Sequence, residues 1–235
     1  MNEELTALYE KYWNSFINNV YIPNMSSKPN QPPKCSYPYL IQVTKHYISA
    51  SQRVMICGQE TQGWGGEYPD PSLANPKALM GIYNGFVNQN NDGSNAKKPG
   101  YNSPYWNFNW RLMQANPDVG FVFQNVVKVG KYALAGCDNN IYELTKCYFP
   151  VWQEELNILK PDIIIFLTGN YDWRIRQVVG EFHSTPVEGD EFLHELHFEN
   201  KAIPRAFRTN HPAYLQRKHR FFNVANILSE IIRTI

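Results

Sequence analysis

Three short stretches carry side chains able to act on a flat, polar ligand. Residues 58–66 (G-Q-E-T-Q-G-W-G-G) set the amide of Gln59, the carboxylate of Glu60 and the indole of Trp64 on a glycine-rich loop. No Gly-Lys-Ser/Thr follows, so this is not a Walker loop. Asn125 closes the run F-V-F-Q-N, and its amide both donates and accepts hydrogen bonds. Residues 209–215 (T-N-H-P-A-Y-L) present His211 immediately before a proline. Together these groups suit cleavage of an N-glycosidic bond. As a base departs, the sugar gains cationic character, which a carboxylate stabilises while it orients water. The base gains anionic character, which an imidazole donor stabilises as an oxyanion hole does. An amide reads a base edge through its paired donor and acceptor.

Each residue also has a purely structural reading. Glu60 suits a cap or an ion pair, Asn125 a bond to loop backbone, His211 a turn, and Trp64 packing. Only their joint placement at loop positions raises the functional reading.

The groups must be positioned by elements written in the hydrophobic pattern. Leu5, Tyr9, Trp13, Phe16 and Ile17 recur at helical spacing, predicting a helix over 3–19. The Pro/Ser/Asn-rich stretch 23–38 reads as a surface loop. R-V-M-I-C at 53–57, ending at Gly58, reads as a buried strand and a tight turn. Asn75-Pro76 and Ser103-Pro104 each pair a capping side chain with proline at the first helical position. They open helices running to about 88 and through Met113. Residues 88–99 are polar and rich in Gly and Asn, hence a loop. Residues 120–129 predict a second strand, 151–159 a helix, and D-I-I-I-F-L at 162–167 a central strand covered on both faces. A helix over 171–179, an edge strand over 191–198, a strand over 205–209 and a final helix from 214 or 215 to 232 complete the pattern.

Alternation of strands and helices implies one α/β domain spanning 1–235: a three-layer α/β/α sandwich around a mostly parallel sheet. Ligands of such sheets bind beyond the carboxyl ends of the strands. That rule selects Gly58 onward, Gln124-Asn125 onward and Asn210-His211 onward.

Composition bounds the partners. The net charge of +1 excludes a general polycationic coat. Between 201 and 220, however, stand Lys201, Arg205, Arg208, Arg217, Lys218 and Arg220 with no Asp or Glu. That local run could track a phosphate backbone, or simply solvate a helix face. Residues 181–199 are acidic, and a DNA path should avoid them. Aromatic residues make up 14% of the chain, available both for the core and for stacking on bases. The four cysteines form no C-x-x-C pair, and Cys57 reads as a small core residue. No signal segment and no apolar run long enough for a membrane span are visible. We therefore expect a cytoplasmic monomer needing no metal and no cofactor.

The order of these motifs resembles the uracil-DNA glycosylase superfamily over roughly 50–232. G-Q-E-T-Q at 58–62 is similar to that family's first motif, Gly-Gln-Asp-Pro-Tyr. F-Q-N-V-V-K-V at 123–129 is similar to its base-reading strand, and I-I-I-F-L-T-G at 163–169 to its later strand and turn. H-P-A-Y-L at 211–215 is similar to its His-Pro-Ser-Pro-Leu. The resemblance implies Glu60 as the water-activating group and His211 as the stabiliser of the leaving base. It implies Gln59, Asn125 and Trp64 as base contacts, with Phe108 or Trp106 as the stacking aromatic. Leu215 would be the wedge filling a flipped nucleotide's place, with Tyr214, Arg217 and Lys218 on the DNA. The departures are Glu for Asp at 60, Gln62 for Tyr (with Trp64 or Tyr68 as substitutes for its packing), and Ala213 and Tyr214 for Ser and Pro.

Three functions fit these residues: a glycosylase acting on uracil or another altered base in DNA, a non-catalytic nucleic-acid or nucleotide-binding module on the same fold, and a hydrolase of small nucleosides. Base release from uracil-containing strands separates the first from the others.

Overall fold

A computed structural model describes residues 1–25, 34–61, 64, 74–89, 98–132 and 134–234. The expected roles of Gln62 and Tyr68, and most of the 88–99 loop, lie outside these residues. The chain divides into two compact units. The first comprises Met1–Gln42, Gln59–Asn84 and Asn125–Leu159, and the second Val43–Gly58, Gly85–Gln124 and Lys160–Ile235.

The second unit is built on a six-stranded sheet. Its strands are β1 (Arg53–Gly58), β2 (Gly120–Asn125), β3 (Ile163–Phe166), β4 (Phe182–Val187), β5 (Asp190–Phe198) and β6 (Arg205–Thr209), in the order β2-β1-β3-β6-β5-β4. β3 pairs in parallel with β1 on one side and β6 on the other. All four β3 residues are fully buried, as an Ile-Ile-Ile-Phe run without alternation requires. Because β1, β3 and β6 run the same way, their carboxyl ends share one edge of the sheet. The chain thus adopts the expected α/β class with a mixed, mostly parallel sheet.

Two expectations for this unit need correction. The 191–198 strand is not an edge: β5 is paired antiparallel on both sides, with β6 and with β4. The edge on this side of the sheet is β4, whose F-H-S-T-P-V sequence lacks alternation and contains Pro186, a residue that edges tolerate and interiors do not. The final helix is also two helices, α8 (Pro212–Arg217) and α9 (Phe221–Arg233). α8 ends in a 6→1 bond from Arg220 N–H to Leu215 C=O (2.9 Å) and a second bond from His219 N–H to Gln216 C=O (3.1 Å). His219 sits between them at φ 56°, a left-handed closure normally given to glycine. The missing glycine is why the break was invisible in the sequence.

Helices α2 (Lys45–Ser49), α4 (Pro104–Ala115) and α7 (Asp172–Val178) complete the second unit. α4 starts where its sequence says: Ser103 Oγ accepts from Trp106 N–H (3.3 Å) and Pro104 follows at N1. Gly100, at φ +64°, lets the chain pass against the Trp106 indole, where an added Cβ would meet the ring at 2.4 Å. Trp106 is itself 7% exposed and packs edge-on against Phe123 at 5.3 Å, so it is core and not a base platform.

The first unit is helical. It contains α1 (Asn2–Phe16), most of α3 (Pro76–Phe86), α5 (Asn139–Tyr148) and α6 (Trp152–Leu159). α3 opens as expected, with Asn75 Oδ1 accepting from Ala78 N–H at 2.9 Å. α1 stops at Phe16 and widens into a π turn over Ile17–Tyr21, so the apolar period of 3–19 overstates the α-helix by a turn. Aromatic rings fill this core: Phe16 lies 5.3 Å from Phe149, and Tyr21 stacks on Tyr37 at 4.2 Å.

Candidate functional site

Gln59 and Glu60 are the first residues past the end of β1. Within the first unit, their backbone is laid along the segment that follows Asn125. Gln59 C=O accepts from Val127 N–H (2.9 Å), and Glu60 Oε1 accepts from Gly136 N–H (2.9 Å). Gly130 makes the approach possible, because an added Cβ there would lie 2.1 Å from Thr61 C=O. Asn125 ends β2 and is 7% exposed. Trp64 packs edge-on against Tyr39 at 4.6 Å, and its carbonyl accepts from Tyr37 N–H (3.0 Å).

A buried ionic network fixes the far side of the same segment. Lys128, three residues after Asn125, lies 2.6 Å from Glu155 Oε1, with the two side chains 5% and 0% exposed. The same carboxylate oxygen accepts from Tyr9 Oη at 2.6 Å, and the Lys128 ammonium also donates to Tyr39 C=O at 2.7 Å. Tyr9 Oη in turn accepts from Ile41 N–H (3.1 Å). Burial, then the neighbouring Glu155 charge, pushes the Tyr9 phenol well above its ordinary range, so it stays a neutral donor. The Tyr9 hydroxyl on the carboxylate and the Tyr39 carbonyl on the ammonium offset what desolvation of the charge pair would otherwise penalise. This network was not legible in the sequence, since its members lie far apart and each looks like an ordinary helix or strand residue.

In the second unit, His211 follows β6 and caps α8. Its Nδ1 accepts from Ala213 N–H at 3.2 Å. A neutral imidazole with Nδ1 occupied as acceptor carries its proton on Nε2, which is then the outward donor. The group is half-buried, and burial, followed by the Arg217 charge, holds its pKa below the ordinary 6.5. The Tyr105 ring lies against it, 5.9 Å between centroids and 19° from parallel. Burial, with Cys57 adding to it, pushes the Tyr105 phenol far up. At the neighbouring strand end, Gly169 (φ +60°) donates its N–H to Thr209 C=O at 3.0 Å, tying the turn after β3 to the approach to His211.

Two expected site residues do not fit their roles. Leu215 is fully buried, so it has no side chain to offer as a wedge. One position earlier, Tyr214 is 36% exposed and carries Arg217 and Lys218 each 5.7 Å from its ring centroid. On so short a helix a step of one residue turns the side chain by about 100°, from core to solvent. Phe108 is also fully buried, edge-on to Phe221 at 5.2 Å. Tyr105 stands on the same face three residues earlier, about 4.5 Å nearer the helix start, and reaches His211 where Phe108 cannot. Helical periodicity could have marked Tyr105 as the alternative.

The basic run is half neutralised. Arg205 pairs with Glu195 (2.6 Å), Arg208 with Asp172 (3.1 Å) and Arg220 with Asp190 (3.0 Å). The acidic 181–199 segment therefore supplies partners for two of these arginines. Among the described residues, Arg217 and Lys218 have no carboxylate partner. Also among the described residues, no cluster of three His, Cys, Asp or Glu could hold a metal ion, and no helix is long and apolar enough to cross a membrane.

Compared with known proteins, the sequence matches the family described as Uracil DNA glycosylase superfamily over residues 45–231. No curated protein matches it. The matched span contains every residue expected at the site.

Proposed function

Because the chain belongs to the uracil-DNA glycosylase superfamily, we propose that it is a DNA glycosylase releasing uracil or another altered base. Asn125 and Gln59 read the base, with Trp64 beside them, and Glu60 orients the attacking water. The bond from C1′ to the base nitrogen breaks and its electron pair leaves with the base. The water oxygen bonds to C1′ and a water proton is lost. The base takes up a proton, leaving an abasic sugar. His211 donates through Nε2–H to the base as negative charge develops. No metal or redox partner is required by this balance.

The observation that supports the reading most is the state of His211. Nδ1 is engaged by Ala213 N–H and the ring is held neutral, so the remaining nitrogen is a donor set at the end of a parallel strand. That is the group an anionic leaving base needs. Tyr214 takes over the wedge role that Leu215 cannot perform, with Arg217 and Lys218 on adjacent phosphates.

A second reading, binding without cleavage, is favoured by one fact. Glu60 is one methylene longer than the family's aspartate, and its Oε1 is held by Gly136 N–H. The test is base release from uracil-containing single- and double-stranded oligonucleotides, with unmodified strands as controls. Free uracil and abasic product support the glycosylase. Strand binding with every base retained supports the binding module.

A further inference from the structure

The second unit holds a cavity of about 570 Å³ between α4 and the α8–α9 junction. Its size falls within the range of roughly 300–1,000 Å³ usual for ligand sites. One wall is a single face of α4: Asn107, Trp110, Arg111 and Gln114, spaced i, i+3, i+4 and i+7. His219 and Phe222 face it. Among the described residues, no carboxylate lines the cavity.

Two features set it apart from ordinary surface. Phe222 is 64% exposed, with the Arg111 guanidinium 4.9 Å from its ring centroid. Arg111 otherwise donates only to Asn226 Oδ1 (3.1 Å) and has no carboxylate partner among the described residues. His219 occupies the left-handed position that closes α8, where glycine carries no steric penalty. The strained residue places an imidazole on the cavity. Aromatic faces, an arginine without an acid, side-chain amides and nearby Arg217 and Lys218 are complementary to a base carrying a phosphate.

We propose that this cavity seats one unpaired base of a nucleic-acid strand, stacked on Trp110 or Phe222 with its phosphate on Arg111. The proposal rests on the reading that the chain binds nucleic acid, though not on cleavage. The cavity uses the Asn107–Trp110–Arg111–Gln114 face of α4, and neither Tyr105 nor the His211 it stacks on is part of its lining.

The probe is a 5′-labelled oligothymidylate, which carries no uracil or altered base, followed by fluorescence anisotropy with the full chain. Uracil release from a uracil-containing strand is measured in parallel. Phe222→Ala, Trp110→Ala and the milder Trp110→Phe, and Arg111→Gln are compared with His211→Ala. Phe222→Ala and Trp110→Ala are expected to weaken binding roughly tenfold each, and Arg111→Gln to lower the salt slope by about one. His219→Gly should raise the melting temperature while weakening binding. If cleavage is absent but these losses occur, the cavity proposal stands and the glycosylase reading falls. If cleavage occurs and cavity variants that melt normally bind as wild type, the cavity proposal is overturned. Absence of any oligothymidylate binding overturns it too, as does a dimer that Phe222→Ala dissociates without such binding.

Discussion

The Tyr105 ring lies nearly parallel to the His211 imidazole, 5.9 Å away and 19° off plane, while Ala213 N–H occupies the imidazole's Nδ1. One contact fixes the ring's plane and the other fixes its tautomer. Tyr105→Phe keeps the stack and should leave base release within about twofold of wild type. Tyr105→Ala frees the ring to turn and should lower kcat by roughly tenfold or more, since misplacement on the ångström scale is costly in catalysis. The ¹⁵N shifts of His211 check the cause: the Nε2–H tautomer should persist in Tyr105→Phe and become mixed in Tyr105→Ala.

The same histidine predicts a pH dependence. Its pKa is lowered by burial first and Arg217 second, so it stays neutral below 6.5. The acid limb of the rate profile should therefore fall below pH 6.5. Arg217→Gln removes one of the two causes and should shift that limb upward. For stability the sign is fixed as well. The unfolded chain takes up the proton at a higher pH than the folded one, so this group removes stability as pH falls through the unfolded value. An acid limb unmoved by Arg217→Gln would separate His211 from the rate.

Lys128 and Glu155 form a closed ionic pair at 2.6 Å, and breaking one side leaves a buried charge. Lys128→Met should destabilise the chain by about 3–5 kcal/mol. Pairing it with Glu155→Leu should recover part of that loss, because the orphaned charge is gone, although Tyr9 Oη then loses its acceptor. Urea unfolding of the two single variants and the double variant measures the coupling.

Gly130 is required by a close approach. A methyl group there would meet Thr61 C=O at 2.1 Å, and Thr61 follows Glu60 directly. Gly130→Ala should move Glu60 away from Gly136 N–H and slow base release by more than its effect on melting temperature explains. Loss of amide-exchange protection at Gly136 would report the displacement.

What the sequence disclosed was governed by periodicity and caps. β3, the caps at Asn75 and Ser103 and the α/β class could be read directly, because an unbroken apolar run or a cap-plus-proline pair has few other meanings. The strand ends at Gly58 and Thr209 followed from the same signals, and with them the positions of Glu60 and His211, whereas β2 stops at Asn125, short of the 129 that its apolar run predicts. Depth along a helix was not legible. Phe108 and Tyr105 share a face, and only coordinates show that the first sinks against Phe221 while the second reaches His211. Leu215 was assigned to the wedge by its place in a motif, and the motif does not show that Leu215 is buried while Tyr214 beside it is exposed. The basic run looked stronger than it is, since three of its arginines meet carboxylates that are distant in sequence.

Single-turnover base release from a uracil-containing strand, compared among wild type, Glu60→Gln and His211→Ala, tests the central claim most directly. We predict that wild type liberates uracil, that His211→Ala loses about 10²–10³-fold, and that Glu60→Gln loses at least as much while all three bind the strand alike. Wild-type protein that binds the strand and liberates no base, or variants that cleave as fast as wild type, would contradict it.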